Sequence, residues 1–307
     1  AGKSCVYRSS RLSGTVPWFL WADSTPLTPA RWPNAKLSDY SVFEKINQQT
    51  GKGPLAYSSS ESDKPSIGVD LTLIDNGQHS PSLKESGIDF TDTLVVQSYG
   101  AMADQTTGCK VKSFDADAGS VTYTLPYGVS ASGHTGLPYF FEGHPKLLDA
   151  EEEWSYDADT NTLLVWMPFC TDPSDSIVRG RVRDFSLNMT SSDVTLRGIK
   201  LFGTTFSSIS TTMRFESVTF AYPTFNKRTI GDQSQTVETY LRMSKTNTLT
   251  MTDSTVLFAD GPWFLAKVNP NAVFTNNLFK GSCYATGSSA TLSSRNSPVD
   301  MLFDRNT

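Results

Sequence analysis

The sequence predicts an all-β protein, antiparallel in its first part and a β-solenoid in its second. Three observations carry this: short alternating runs between turn residues, a duplicated strand–turn–strand unit, and a looser repeat of about twenty residues. The turn residues are Gly, Pro, Asn, Asp and Ser throughout. Helical spacing is confined to Ser41–Ile46 and Pro145–Asp149, each long enough for about one or two turns. Leu94-Val95-Val96 within Thr91–Ser98 reads as a strand, and Val121–Leu125 alternates apolar with hydroxyl side chains.

The duplicated unit matches over thirteen positions without a gap, Phe114–Pro126 against Tyr156–Pro168. Each copy opens on an aromatic residue and Asp-Ala-Asp, continues through three residues and enters a strand closed by Pro. Alternate carboxylates at Asp115/Asp117 and Asp157/Asp159 can share a Ca2+ ion. The Gly and distant Glu of an EF-hand loop are missing, so Asp bonding its own turn backbone is the simpler reading.

The second repeat is apolar, any residue, small or polar, then further apolar positions. Its units start at Leu196, Phe215, Met251, Phe274 and Phe303, spaced by 19, 36, 23 and 29 residues. Variable insertions around a constant face are what a solenoid tolerates. The five starting residues should stack inward in one column, with Arg197, Glu216, Thr252, Thr275 and Asp304 in a polar stripe beside them. Asn277 and Asn306 fall in register as members of an asparagine ladder. The division is placed at 1–176 for the antiparallel domain and 177–307 for the coils.

Charge and compartment narrow the function. Acidic residues outnumber basic ones 31 to 26, for a net charge of −5 without a basic face, which argues against nucleic acid. No apolar run reaches the ~20 residues of a membrane-spanning helix. Charged residues make up only 19%, and a surface rich in Ser and Thr suits an extracellular or cell-surface β-protein. Cys5, Cys109, Cys170 and Cys283 allow three disulfide pairings, or remain buried thiols, and their spacing does not choose. They lie in no C-x-x-C pair and near none of the three histidines, so no zinc site is read. Asn188-Met189-Thr190 is a glycosylation sequon. The chain starts at Ala1-Gly2-Lys3 and stops inside a repeat unit, so it reads as a segment of a longer polypeptide.

Three stretches together resemble a family of large secreted right-handed parallel β-helix proteins. Leu27–Asn34 resembles their "ARWPN" segment, and Tyr139–Asp149 their "ENhpelLD" stretch. Glu153–Asp157 with Thr162–Pro168 resembles their "GEWYyD…tgtLYywP" hairpin, and Val194–Ile199 and Val273–Phe279 resemble their coil motifs. Ala150-Glu151-Glu152 stands where that family has Pro-Gly, and Gly143 stands where it has Asn. The resemblance implies a β-helix interrupted by a sandwich-like insertion, re-entered near residue 177. Many such proteins degrade polysaccharides, but fold alone does not assign function.

Chemistry is sparse. Gly-x-Ser-x-Gly is absent, and three histidines leave few candidate bases. A lyase needs cations beside an acidic sugar, and a hydrolase needs two carboxylates several ångströms apart. Arg197, Lys200 and Glu216 are the catalytic candidates; Arg214, Asp253, Asp260, Trp263 and Lys267 are the binding candidates. Solvated surface charge accounts for the charged members equally well. Two readings stand: a module recognising or processing a polysaccharide, and a structural or adhesive module packed against neighbouring chains or the rest of a longer polypeptide. Neither calls for a cofactor, Ca2+ being the one ion the sequence leaves open.

Overall fold

The computed structural model describes residues 5–39, 70–75, 81–99, 105–124, 139–183, 185–223, 225–227, 237–239, 241–243, 248–259, 264–266, 271–281, 292–294 and 301–307. Their regular structure is strand, with three single-turn 3-10 segments and no α-helix among the described residues. The Pro145–Asp149 expectation becomes a 3-10 turn at Pro145–Leu147, and Ser41–Ile46 lies outside the described residues. The described chain divides into two compact units, one up to Val182 and one from Arg183.

The first unit holds β1 (Val6–Arg8), β2 (Phe19–Ala22), β3 (Thr25–Pro29), β4 (Arg31–Trp32), β5 (Asp70–Ile74) and β6 (Leu94–Tyr99). It continues with β7 (Gln105–Asp115), β8 (Ser120–Thr124), β9 (Tyr139–Glu142), β10 (Glu153–Asp157), β11 (Thr162–Trp166) and β12 (Val178–Arg181). They form two six-stranded sheets, β1-β11-β10-β3-β2-β12 and β4-β9-β6-β7-β8-β5. Every pair is antiparallel except β10 with β3. Strand β11 is apolar on both faces because both are covered. Leu163 and Val165 join Leu20, Leu27 and Trp154, whereas Leu164 and Trp166 pack against the core of the other sheet around Phe90, Tyr123 and Phe141. This explains why the segment reads as an unbroken hydrophobic run.

The duplicated unit is two equivalent hairpins, one in each sheet. Asp115 pairs with Ser120, and Asp157 pairs with Thr162. Asp115 Oδ1 accepts the amides of Asp117 and Ala118, and Asp157 Oδ1 those of Asp159 and Thr160. The acids thus bond their own turns. Among the described residues no group of three or more His, Cys, Asp or Glu side chains could hold a metal.

Strand β12 lies past the expected boundary at 176/177, yet it belongs to the first unit, antiparallel to β2. A Cβ on its Gly180 would stand 2.8 Å from Pro17 Cβ, so close approach demands glycine there. Cys5 and Cys170 form a disulfide across 165 residues, and Cys109 is a buried thiol.

One buried carboxylate joins the motif stretches. Glu153 Oε1 accepts the amide of Arg31, and Oε2 accepts those of Asp149 and Ala150. Arg31 pairs across the sheet with Glu142, and its guanidinium lies 3.6 Å over the Phe140 ring. Asn34 Nδ2 donates to Asp149 at 2.8 Å. Glu153 is 1% exposed, and burial pushes it up to about 8 against the pull of its three amide donors.

The second unit repeats in passages of three strands. The first passage is β13 (Leu187–Met189), β14 (Asp193–Arg197) and β15 (Lys200–Phe202); the second is β16 (Phe206–Ser208), β17 (Thr212–Glu216) and β18 (Thr219–Ala221). An antiparallel pair, β19 (Phe225–Lys227) and β20 (Val237–Thr239), follows. The third passage is β21 (Leu241–Met243), β22 (Thr248–Thr252) and β23 (Thr255–Leu257); the fourth is β24 (Phe264–Ala266), β25 (Asn271–Thr275) and β26 (Leu278–Lys280). β27 (Leu292–Ser294) and β28 (Met301–Asp304) complete the series. Three sheets result, β13-β16-β21-β24-β27, β14-β17-β22-β25-β28 and β15-β18-β23-β26, each parallel and in register.

The expected column is present, with Leu196, Phe215, Met251, Phe274 and Phe303 opposite one another on successive strands. Phe215, Met251 and Phe274 are fully buried, and Phe274 stacks on Phe303 with ring centres 5.0 Å apart. Emptying one such position to Ala costs about 3–5 kcal/mol. The third position of the repeat is a corner: Gly198, Ser217, Asp253, Asn276 and Arg305 all take φ between 49° and 65°. A second left-handed column, Gly203, Tyr222, Phe258 and Gly281, follows the third sheet. The inward ladder beside the first corner has one more member than its asparagines. Asn306 Oδ1 accepts from the Asn277 amide, Asn277 Oδ1 from the Ser254 amide, and Ser254 Oγ from the Val218 amide.

Asn277, 2% exposed, also donates to the Met251 carbonyl at 2.9 Å. Asn277→Ala is therefore expected to lower unfolding free energy by about 2–4 kcal/mol, since two buried backbone groups lose their partners. Urea denaturation checks this, and an unshifted midpoint would refute the ladder's role. For Glu153, a folded pKa above the unfolded one stabilises fully below the ordinary carboxylate range and is lost as pH rises through about 8. His144, pushed down by burial, works in the opposite sense at the acid end of that window. The melting temperature should fall from pH 5 to pH 8, and Glu153→Gln should flatten that slope.

Candidate functional site

Side chains alternate along each strand of the β14-β17-β22-β25-β28 sheet, so half of them face away from the core column. Three outward rows cross it. They are Asp193, Thr212, Thr248 and Asn271; Thr195, Arg214, Thr250, Val273 and Leu302; and Arg197, Glu216, Thr252, Thr275 and Asp304. Neighbouring strands lie ~4.8 Å apart, so the face is a grid in which threonines alternate with charged residues, with Val273 and Leu302 at one end. The corner column continues it with Ser217, Asp253 and Asn276, all exposed.

Arg197 and Glu216 meet. Nε and Nη2 of the arginine both lie 2.6 Å from Glu216 Oε2. The hydrogen bond to Glu216 pushes the Arg197 guanidinium up from its ordinary value, so it acts as a fixed cation. Asp253 Oδ1 accepts from Asn276 Nδ2 at 2.5 Å, one passage further on. Both carboxylates are thus engaged by neighbours on the sheet.

Arg214 is exposed and has no ion-pair or hydrogen-bond partner among the described residues. Its cross-strand neighbours are Thr195 and Thr250, and its same-strand neighbours on this face are Thr212 and Glu216. Lys200 is exposed in the neighbouring sheet, in the row Lys200, Thr219, Thr255 and Leu278. No described hydrogen bond or ion pair links it to Arg197 or Glu216. Asn188 is exposed on β13, opposite Ser207. Asp260, Trp263 and Lys267 lie outside the described residues.

Of the corner side chains Asp253 is a sequence-based candidate, whereas Ser217, Asn276 and the neighbouring Ser254 are not. The signal for Ser217 and Asn276 is the small-or-polar third position of the repeat, and for Ser254 the position after it, legible as a turn but not as part of a surface.

No family model matches the chain, and no curated protein matches it. A solved structure named "Glycoside hydrolase" is similar in fold, with a TM-score of 0.52 at 10% identity. The match covers 93% of this chain and 58% of that one.

Arg197→Ala is expected to leave the denaturation midpoint unchanged, because a solvent-screened surface pair contributes little. A clear drop in the midpoint would show that the pair supports the sheet instead.

Proposed function

We propose that the second unit is a stretch of right-handed parallel β-helix whose β14-β17-β22-β25-β28 face recognises an extracellular polysaccharide, the first unit being its sandwich-like insertion. The observation that carries this reading is the outward array of threonines around a guanidinium that has no ion pair among the described residues. Hydroxyls in rows offer donors and acceptors at a step comparable with one pyranose unit. Arg214 adds a cation among them. The fold likeness to a structure named glycoside hydrolase supports carbohydrate as the ligand class. The in-register passages and the left-handed corners support the β-helix.

Processing would require a free acid–base pair. Glu216 is held by Arg197 and Asp253 by Asn276, an arrangement that favours recognition over hydrolysis. The flat threonine face equally suits an adhesive module of a larger surface protein, with glycan as the surface it grips.

Affinity electrophoresis and a reducing-end release assay on soluble plant and microbial polysaccharides test both levels. Arg214→Ala should weaken retardation by about tenfold, a loss of ~1.4 kcal/mol. Retardation of the Arg214→Ala, Thr250→Ala double variant equal to that of the unaltered chain would refute the face as a binding site. Release of reducing ends that disappears in Glu216→Gln would instead make the module an enzyme.

A further inference from the structure

The turn after β11 holds Phe169 with its ring in water, 89% exposed. Phe169 and Cys170 both take the left-handed backbone conformation, at φ 53° and 52°, which costs free energy for side chains bearing a Cβ. A loose loop would relax this strain and fold the ring back. This loop is fastened in several ways. Cys170 is bonded to Cys5, and its carbonyl accepts from Tyr7 Oη at 3.4 Å. The Phe169 amide donates to the Glu151 carboxylate. The amides of Cys170 and Thr171 return to the carbonyls of Met167 and Pro168 at 3.2 and 3.0 Å. Asp172 then fixes the next turn through the Ser174 amide and hydroxyl, both at 2.8 Å.

On the C-terminal side of the ring the chain is polar, whereas Trp166-Met167-Pro168 precede it. Between Phe169 and Ile177, the next exposed large apolar residue, stand Thr171, Asp172, Ser174, Asp175 and Ser176. The Glu151 carboxylate accepts from the Phe169 backbone amide. A protein-docking patch needs contiguous apolar side chains around its anchor. A single exposed ring followed along the chain by hydroxyls and carboxylates, with Glu151 at its backbone amide, matches a different ligand. A pyranose presents a C–H face that covers an aromatic ring, edged by hydroxyls that donate to carboxylates.

We propose that Phe169 is a stacking platform for a neutral sugar ring, with Glu151 and Asp172 as hydroxyl acceptors. The site lies in the first unit. It shares with the sheet-face reading only the carbohydrate ligand class, on which it rests. Because the loop is fastened in advance, binding pays little ordering cost.

The test uses the full oxidised chain in native gels containing xylan, galactomannan or laminarin. Phe169→Ala should cut affinity for at least one of them by up to about tenfold, Phe169→Trp should retain it, and both should melt with the unaltered chain. Arg214→Ala separates the two sites: loss there with unchanged Phe169→Ala binding overturns this proposal and leaves the sheet face standing. Equal retardation of Phe169→Ala and the unaltered chain, or no retardation of the unaltered chain by any of the three, overturns it as well. A change in light-scattering mass of Phe169→Ala without loss of retardation would assign the ring to a protein contact instead.

Discussion

Every amide this chain buries must find an acceptor, and the two units meet that demand by different means. In the second unit the acceptor is mostly a neighbouring passage, the one before or the one after. At the corner the Gly198 amide donates to the Glu216 carbonyl, Ser217 to Thr252, Asp253 to Thr275 and Asn276 to Asp304. That dependence forces one register on all passages, because a slip of one residue would turn Phe215 and Met251 outward. Sequence repetition is the consequence. The left-handed residue turns the chain, and after Asp253, Asn276 and Arg305 the next residue lends a side-chain oxygen to the amide of the passage before.

The first unit has no periodic neighbour to rely on where Arg31, Asp149 and Ala150 come together, so a side chain supplies the acceptors. Glu153 accepts all three amides. Burying a carboxylate is costly, and its raised pKa expresses that cost. The return is convergence of Arg31-Trp32, Tyr139–Asp149 and the β10–β11 hairpin, stretches far apart in sequence. An apolar residue at this position would pack well and leave three amides without acceptors.

How much of this could be read beforehand follows from the same distinction. The inward column, the polar stripe, the Asp-centred turns and the Asn277–Asn306 contact were legible because each repeats along the chain. Ser254 was not, since a serine in the ladder's place looks like any turn serine. The pairing of β12 with β2 was hidden for a related reason: Val178–Arg181 reads as a strand in either unit, and only Gly180 against Pro17 records its partner. Cys5–Cys170 joins distant positions that no local pattern links. Arg197 and Glu216 were predicted as row neighbours, but the rows alone could not say that they would close on each other while Arg214 stayed open.

Alternation on a parallel sheet separates the two kinds of constraint. Inward positions are fixed by the core and the ladder, and a change there is felt on both adjacent passages. Outward positions answer only to solvent and to whatever lies on the sheet, so Thr195, Thr250 and Arg214 can be set for a ligand at little cost to the fold. β propensity already favours Thr over Ser or Asn on such strands, so the threonines alone do not mark a ligand. Arg214 is the more telling residue. A guanidinium in a row of threonines gains nothing from its sheet neighbours that lysine or threonine would not give. On the recognition reading proposed above, its planar fork would serve a partner arriving from outside.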